Sequence, residues 1–172
     1  AIPHNIIGIK QKYDDPFRNV ASIMINRMLQ NKSPIIYGDG EQVRSFSDVD
    51  DCVFCIDKLA TDPNIKSLIV NIGPGPENEI SVNNLFQKLS NILKFNKDPI
   101  YKPERVNEVR NAICSSELAK TRLDLKSNTN IDEVLIKMCD YIKSKGVKKF
   151  IYNYQIEIDN ELTPDTWKNK II

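Results

Sequence analysis

At 172 residues the chain is long enough to hold one domain with a real hydrophobic core. Its 41% hydrophobic and 27% charged residues exclude a disordered segment, and a formal charge of +1 gives no global pull toward nucleic acid or an anionic membrane. No apolar run approaches the roughly 20 residues needed to span a bilayer, and no basic-plus-apolar leader opens the sequence.

The elements follow in chain order. Ile2 to Gly8, an apolar run ending in glycine, reads as a buried strand. A polar loop from Lys10 to Arg18 carries Asp14-Asp15-Pro16. From Asn19 to Leu29 the residues Val20, Ile23, Met24, Met28 and Leu29 recur at helical spacing and predict an amphipathic helix. Pro34 to Tyr37 is a brief strand closed by Gly38-Asp39-Gly40, a turn signal because glycine tolerates positive φ. Asp48 to Thr61 reads as a helix, with Pro63 and Asn64 marking its exit. Ser67 to Ile72 is an apolar strand ended by Gly73-Pro74-Gly75-Pro76. That segment lacks a third glycine, and its prolines remove the N–H donors a phosphate cradle needs, so it reads as a strand-to-helix loop.

Ser81 can cap the next helix, whose buried stripe is Val82, Leu85, Phe86, Leu89, Ile92 and Leu93. Pro99 to Tyr101 and Val109 to Ile113 are short extended pieces. A short helix runs from Ser116 to Leu123 with Ser115 as its cap, and a longer one from Asp132 to Ser144 stops at Gly146. Phe150, Tyr152, Tyr154, Ile156 and Ile158 alternate with polar residues as in a half-buried strand. In Thr163-Pro164-Asp165-Thr166-Trp167, a threonine cap and a proline at the first helical position predict a final helical turn, with Trp167 as a packing anchor for the tail.

The mixture is α/β, without the repeated strand–helix–strand order of a doubly wound sheet. Cys52 and Cys55 invite a metal or redox reading, but the only histidine is His4 and no second paired motif exists. Both fall on the apolar side of a helix (Val49, Cys52, Val53, Cys55, Ile56, Leu59), where reduced cysteine packs as a small apolar residue. Reduced thiols imply a cytoplasmic, reducing location. The cluster Lys143, Lys145, Lys148 and Lys149 reads as a solvated face complementing a helix end.

Arg44 is the sharpest candidate for chemistry. It follows a glycine turn and precedes a helix, and a planar, permanently charged guanidinium there suits a phosphate or diphosphate, against the default of a solvated surface arginine. Asn19 opens a helix, where backbone N–H groups and the macrodipole favour phosphate, although a plain helix cap needs the same geometry. Asn5 is either a backbone-satisfying residue at a strand end or a ligand contact. His4 has no carboxylate or nucleophile near it in sequence and reads as packing or contact surface.

The block Gly38-Asp39-Gly40-Glu41-Gln42-Val43-Arg44-Ser45-Phe46-Ser47-Asp48-Val49-Asp50-Asp51 resembles Gly-Asp-Gly-x-x-x-Arg-Asp-Phe-x-x-Val-x-Asp of the extended short-chain dehydrogenase/reductases, the NAD-dependent nucleotide-sugar epimerases and dehydratases. Ser45 stands where that pattern has aspartate. In the same family an Arg-x-x-Asn-x-x-Gly-Pro segment is matched by Asn5 and Gly8, with Ile9 in place of proline. Arg105-Val106-Asn107-Glu108-Val109 resembles its Arg-Pro-Gly-Asp/Glu-Val, with Val106-Asn107 in place of Pro-Gly.

The resemblance implies that Arg44 and Arg105 converge on a nucleotide diphosphate and that Glu108 accepts from ribose hydroxyls. It implies that Asn5 contacts the diphospho-sugar, that Asn19 adds to diphosphate binding, and that Ile35 to Tyr37 lie along the base. Pro3 and His4 would run past the nicotinamide of NAD. Asp51 is a structural carboxylate at a helix start.

The implied parent is an NAD-dependent enzyme acting on a nucleoside-diphosphate sugar, most simply a UDP-hexose 4-epimerase, in which a tyrosinate removes a hydroxyl proton while hydride passes to NAD. No dinucleotide-binding glycine fingerprint is present, and the catalytic Tyr-x-x-x-Lys pair is expected outside this chain. The chain therefore reads as the C-terminal substrate-binding lobe of such a fold, lacking the Rossmann core. Residues 1–146 would form that lobe and 147–172 an extension. Ala1 in place of Met fits a domain cut or processing. The expected partners are a UDP-sugar and the missing Rossmann half, in the same or a separate chain, with a homodimer as an option and neither nucleic acid nor membrane. A nucleotide-sugar dehydratase or decarboxylase half, and a non-catalytic remnant or binding module, are the alternatives. Alone, the chain is expected to be inactive.

Overall fold

The computed structural model describes residues 1–75, 78–126, 130–153, 155–157 and 159–172. Three helices, α1 (Val20–Leu29), α3 (Val82–Leu93) and α5 (Ile131–Lys145), surround the larger hydrophobic core. Their beginnings are set by side-chain caps that satisfy otherwise orphaned amides. Asn19 Oδ1 accepts from Ala21 N at 2.9 Å, Ser81 Oγ from Asn84 N at 3.1 Å, and Asn130 Oδ1 from Asp132 N at 3.0 Å. The α3 stripe is as expected, with Leu85 and Leu89 fully buried. Truncating either to alanine would cost about 2–5 kcal/mol.

α1 departs from a simple amphipathic helix. Ser22, Asn26 and Arg27 are buried along with Met24, Ile25 and Met28. Their polar atoms are spent on neighbouring backbone: Asn26 Nδ2 donates to Tyr13 O at 2.8 Å and to Lys148 O at 2.9 Å. The loop before α1 and the chain after α5 are thus tied to its polar face. That tie also explains why Tyr13 to Pro16 are buried within a polar loop.

A smaller core joins α2 (Val49–Thr61) to α4 (Glu117–Leu123), around Cys52, Cys55, Val70, Ile72, Ala119 and Leu123. Asp48 caps α2, accepting from Asp50 N at 3.3 Å, and Ser115 Oγ accepts from Glu117 N at 3.3 Å before α4. Only the cysteine side of α2 is covered. Val53 and Ile56, expected in its buried stripe, are 58% and 48% exposed. The thiols pack as small apolar groups, and burial pushes Cys55 up to about 11 and Cys139, in the larger core, to about 12.

Among the described residues the strands are short and pair in four small sheets. β1 (Ile2–Pro3) runs parallel to β6 (Asn71–Ile72), and β2 (Ile6–Ile7) parallel to β5 (Ser47–Asp48). The strand expected over Ile2 to Gly8 is therefore two pieces broken at His4 and Asn5, because Asn5 takes a left-handed φ of +42°, which asparagine tolerates better than most residues. It is not buried throughout: Ile2 is 45% exposed. The strand expected over Ser67 to Ile72 shrinks to its last two residues, with Ser67 at φ +52° and Ile69 77% exposed.

β3 (Ile35–Tyr37) runs parallel to β8 (Ile100–Lys102), with Tyr37 opposite Lys102. β4 (Val43–Ser45) lies between antiparallel β7 (Glu79–Ser81) and parallel β9 (Asn111–Ala112). The intervening turn takes positive φ at Gly38 and Gly40, +66° and +77°.

No strand forms among the described residues of 147–160; Tyr154 and Ile158 of the expected alternation, like Pro76 of the glycine-proline loop, lie outside the described residues. The last helical turn, α6 (Asp165–Lys168), begins one residue later than expected, with Pro164 at its cap position.

Candidate functional site

Arg44 sits at the centre of β4, paired with Ile80 on one side and Ala112 on the other. Its NH1 donates to Val43 O at 2.8 Å, and its NH2 donates to Glu108 Oε1 at 2.6 Å. Glu108, only 10% exposed, also lies 2.7 Å from Arg105 Nε through its other oxygen. That second contact is a charge contact rather than an aligned hydrogen bond, and the buried Arg105 Nε has no hydrogen-bond partner. The Arg105 guanidinium stacks over the Tyr37 ring at 5.0 Å. Three residues from β3, β4 and the loop after β8 are thus locked together around one carboxylate.

They line a cleft of about 190 Å³, whose walls include Phe17, Val20, Met24, Ile35, Gln42 and Trp167. Among the described residues, Arg18, Arg27, Arg44 and Arg105 face it against a single glutamate, Glu108, with Arg18 also paired to Asp15 at 3.2 Å. Arg27, 7% exposed, is held by the backbone carbonyls of Ser33 at 2.9 Å and Ile171 at 3.3 Å; its desolvation lowers its pKa from the ordinary value. The excess of positive charge in a partly desolvated cleft is what a doubly charged anion requires. Glu108 gives the same cleft an acceptor, although its two oxygens are engaged by arginines.

Of the residues singled out in the sequence, the structure brings Ile35, Tyr37, Arg44, Arg105 and Glu108 into this one cleft. Asn19 lies between Arg18 and Val20, which line it, but its own Oδ1 is used as the α1 cap. Asn5, Pro3 and His4 are not part of its lining. They lie where β1 and β2 meet β5 and β6: His4 N donates to Ile72 O at 2.9 Å, and Ser47 Oγ donates to His4 O at 2.8 Å. Ser45, the departure from the family's aspartate, is fully buried and its Oγ has no hydrogen-bond partner. Arg44 is supported from Val43 and Glu108 instead.

Sequence reasoning missed Phe17, Arg27, Gln42, Thr166 and Ile172 as lining residues, and took Trp167 for an anchor alone. Trp167 does both, packing edge-on against Phe17 at 5.3 Å while facing the cleft. Gln42 was legible in principle, since it lies in the glycine block; its Nε2 donates to Tyr37 O at 3.0 Å and fixes the end of β3.

One Tyr-x-x-x-Lys spacing does occur, Tyr141 and Lys145 in α5, contrary to the expectation that the motif lies outside the chain. Tyr141 packs against the larger core, Lys145 is exposed at the helix end, and neither lines the cleft. The spacing is incidental to the site.

Comparison with known proteins bears on these features. Residues 1–73 match the model of the NAD dependent epimerase/dehydratase family. A protein of Methanocaldococcus jannaschii named "Putative UDP-glucose 4-epimerase" is 37% identical over 144 residues, 83% of this chain and 44% of the relative. A UDP-N-acetyl-alpha-D-glucosaminuronate decarboxylase of Bacillus cytotoxicus is 31% identical over 58% of this chain and 30% of its own length. Among solved structures, the UDP-glucose 4-epimerase of Thermotoga maritima with UDP-glucose is 32% identical and superposes with a TM-score of 0.73, covering 83% of this chain and 45% of that one. The chain spans less than half the length of the relatives it matches.

Proposed function

From the premise that the chain belongs to the NAD-dependent epimerase/dehydratase family, we propose that it is the substrate-binding half of a nucleotide-sugar epimerase, most simply a UDP-hexose 4-epimerase. Residues 1–146 form the lobe that grips the nucleotide, and 147–172 an extension folded back upon it. The observation that carries the reading is the cleft itself, where Arg44 and Arg105 share Glu108 beside the Ile35–Tyr37 strand. Arg44 and Arg105 neutralise the diphosphate, and Ile35 and Tyr37 flank the base. Glu108 orients both guanidinium groups and turns toward the ribose hydroxyls once the diphosphate competes for the arginines. Asn5 and Asn19 complete the grip at the sugar and diphosphate ends, Asn19 through the amide-rich start of α1.

NAD supplies hydride transfer in such enzymes, and the residues here do not fit a full cradle for it. The Gly73-Pro74-Gly75-Pro76 segment lacks a third glycine and its prolines remove N–H donors that a phosphate cradle needs, and only Pro3 and His4 are assigned to the cofactor's edge. The parallel β1–β6 pair supports a missing half. Parallel sheets are ordinarily covered on both faces, yet here both residues of β1 are exposed, Ile2 to 45%. This chain's own contribution is to bind and orient the nucleotide while the sugar is left to turn.

Calorimetric titration with UDP-, dTDP- and GDP-sugars tests the reading. UDP-sugars are expected to bind, and Arg44→Ala to weaken them by about 1.5–3 kcal/mol, the worth of a charged hydrogen bond. Unchanged affinity in that variant removes Arg44 from the site, and epimerase turnover by this chain alone overturns the half-enzyme reading. A dehydratase or decarboxylase parent is the second reading, favoured by the 31% identity to the Bacillus cytotoxicus decarboxylase.

A further inference from the structure

The tail after α5 does more than cover the lobe. Tyr37 Oη donates to Thr166 Oγ1 at 2.8 Å and accepts from Thr166 N at 2.9 Å, so one side chain of the base-flanking strand is clamped by α6. Thr166 is 2% exposed. Beside it, the Trp167 ring meets Phe17 edge-on at 5.3 Å, with an interplanar angle of 71°. Those two rings form a partition. On one side lies the arginine-lined cleft of about 190 Å³; on the other lies a second cavity of about 510 Å³, walled by Tyr152, Ile156 and Lys170 and sharing both Phe17 and Trp167.

We infer that Trp167 is a specificity-determining wall of the nucleotide cleft, sizing it for a single-ring base and excluding double-ring ones. The inference rests on the proposal that the cleft holds a nucleoside diphosphate. Pockets that take whole drug-sized ligands usually measure about 300–1,000 Å³. A cleft of 190 Å³ admits part of such a ligand, and its extent on this side is fixed by the two rings. Apolar aromatic faces there also offer a base a stacking contact. Removing the indole would join the cleft to its neighbour and give a purine the room that Trp167 denies it. Trp167→Phe, which loses the indole N–H but keeps an aromatic ring against Phe17, would keep the partition.

The test compares UDP with GDP, which carry the same diphosphate and differ in base size. Calorimetry is run on the protein, Trp167→Ala, Trp167→Phe and Arg44→Ala, and emission of Trp167, the single tryptophan of the chain, is followed during the UDP titration. The expected result is at least a tenfold preference for UDP that Trp167→Ala reduces threefold or more and Trp167→Phe keeps, with the emission shifting as UDP saturates. If UDP binds in an Arg44-dependent way while the UDP/GDP ratio is the same with and without the indole, the wall is not there. Unmoved Trp167 emission at saturating UDP has the same consequence, even where Trp167→Ala fails to fold. If UDP shows no Arg44-dependent binding at all, the nucleotide reading itself falls, and this inference with it.

Discussion

Arg44 and Glu108, 64 residues apart in sequence, meet at 2.6 Å between NH2 and Oε1, with the two side chains 17% and 10% exposed. The contact joins β4 to the loop after β8 and brings Arg105 within 2.7 Å of the other carboxylate oxygen. A lone guanidinium in this cleft would be costly to desolvate. Sharing one carboxylate between two arginines keeps both in place while leaving the trio with a net positive charge for an anion.

Glu108→Gln is therefore expected to destabilise the fold by about 1–3 kcal/mol, because two partly buried cations lose their common counter-charge. Chemical denaturation measures it. A variant as stable as the parent would mean that the carboxylate is dispensable and that backbone contacts, such as Arg44 NH1 to Val43 O, hold the arginine alone.

The glycine turn makes a graded prediction. Gly38 and Gly40 both have positive φ, so alanine at either costs about 1 kcal/mol in backbone conformation. At Gly38 an added Cβ would meet Glu104 Cγ at 3.5 Å, an ordinary contact. At Gly40 it would overlap the Asn83 side chain, whose amide donates to Asp39 O at 2.8 Å and whose oxygen accepts from Tyr101. Gly40→Ala should lower stability by about 2–3 kcal/mol and Gly38→Ala by about half that or less. Equal losses in a thermal melt would show that packing at Asn83 plays no part.

These features also mark what was legible in the sequence. Caps and turns depend on a few neighbouring residues, so Asn19, Ser81 and the Gly38–Gly40 turn could be read directly, and with them the position of Arg44. Exposure depends on what covers a helix. Nothing local distinguishes Val53, left open, from Cys52, packed on α4. The Phe17–Trp167 contact spans nearly the whole chain, and no period or motif encodes it. The short strands failed for a related reason: Ile2 to Gly8 and Ser67 to Ile72 have strand-like composition, but the left-handed Asn5 breaks the first and only Asn71 and Ile72 of the second find a partner strand.

Two buried serines on neighbouring strands should respond oppositely. Ser45 and Ser47 are both fully buried. Ser47 Oγ donates to His4 O at 2.8 Å, whereas Ser45 Oγ has no partner. Ser47→Ala is expected to cost about 1 kcal/mol, and Ser45→Ala to be neutral or stabilising, since an unsatisfied buried hydroxyl is removed. A loss at Ser45 comparable to that at Ser47, in paired urea titrations, would contradict this assignment.

The turn carries an acid-sensitive tie. The bidentate Arg110 guanidinium, at 2.7 and 2.9 Å, holds the Asp39 carboxyl down at about 2, below the ordinary 3.8. A depressed folded pKa means the contribution is complete above pH about 4 and disappears as the pH falls toward 2. Both side chains are more than half exposed, so the effect is small and screened by salt. The stability difference between the protein and Asp39→Asn should be constant from pH 7 to about 4 and close between about 4 and 2. A gap undiminished at pH 2 would place the effect elsewhere.

Tyr37→Phe isolates the clamp between the base-flanking strand and the tail. Phenylalanine keeps the ring beneath Arg105 but removes the hydroxyl that serves Thr166 as both donor and acceptor. A buried amide and a buried hydroxyl are left without partners, a penalty of about 1–3 kcal/mol. The tail can avoid that penalty by detaching, because its other attachments to the lobe are single contacts such as Arg27 Nη1 to Ile171 O, Lys102 Nζ to Asp165 Oδ2 and the Phe17–Trp167 edge contact. The loss should therefore appear as local opening. Amide hydrogen exchange at residues 165–172 is expected to accelerate about tenfold while α1 and α3 stay protected. Faster exchange across all the helices would show instead that Tyr37 and Thr166 belong to the cooperative core.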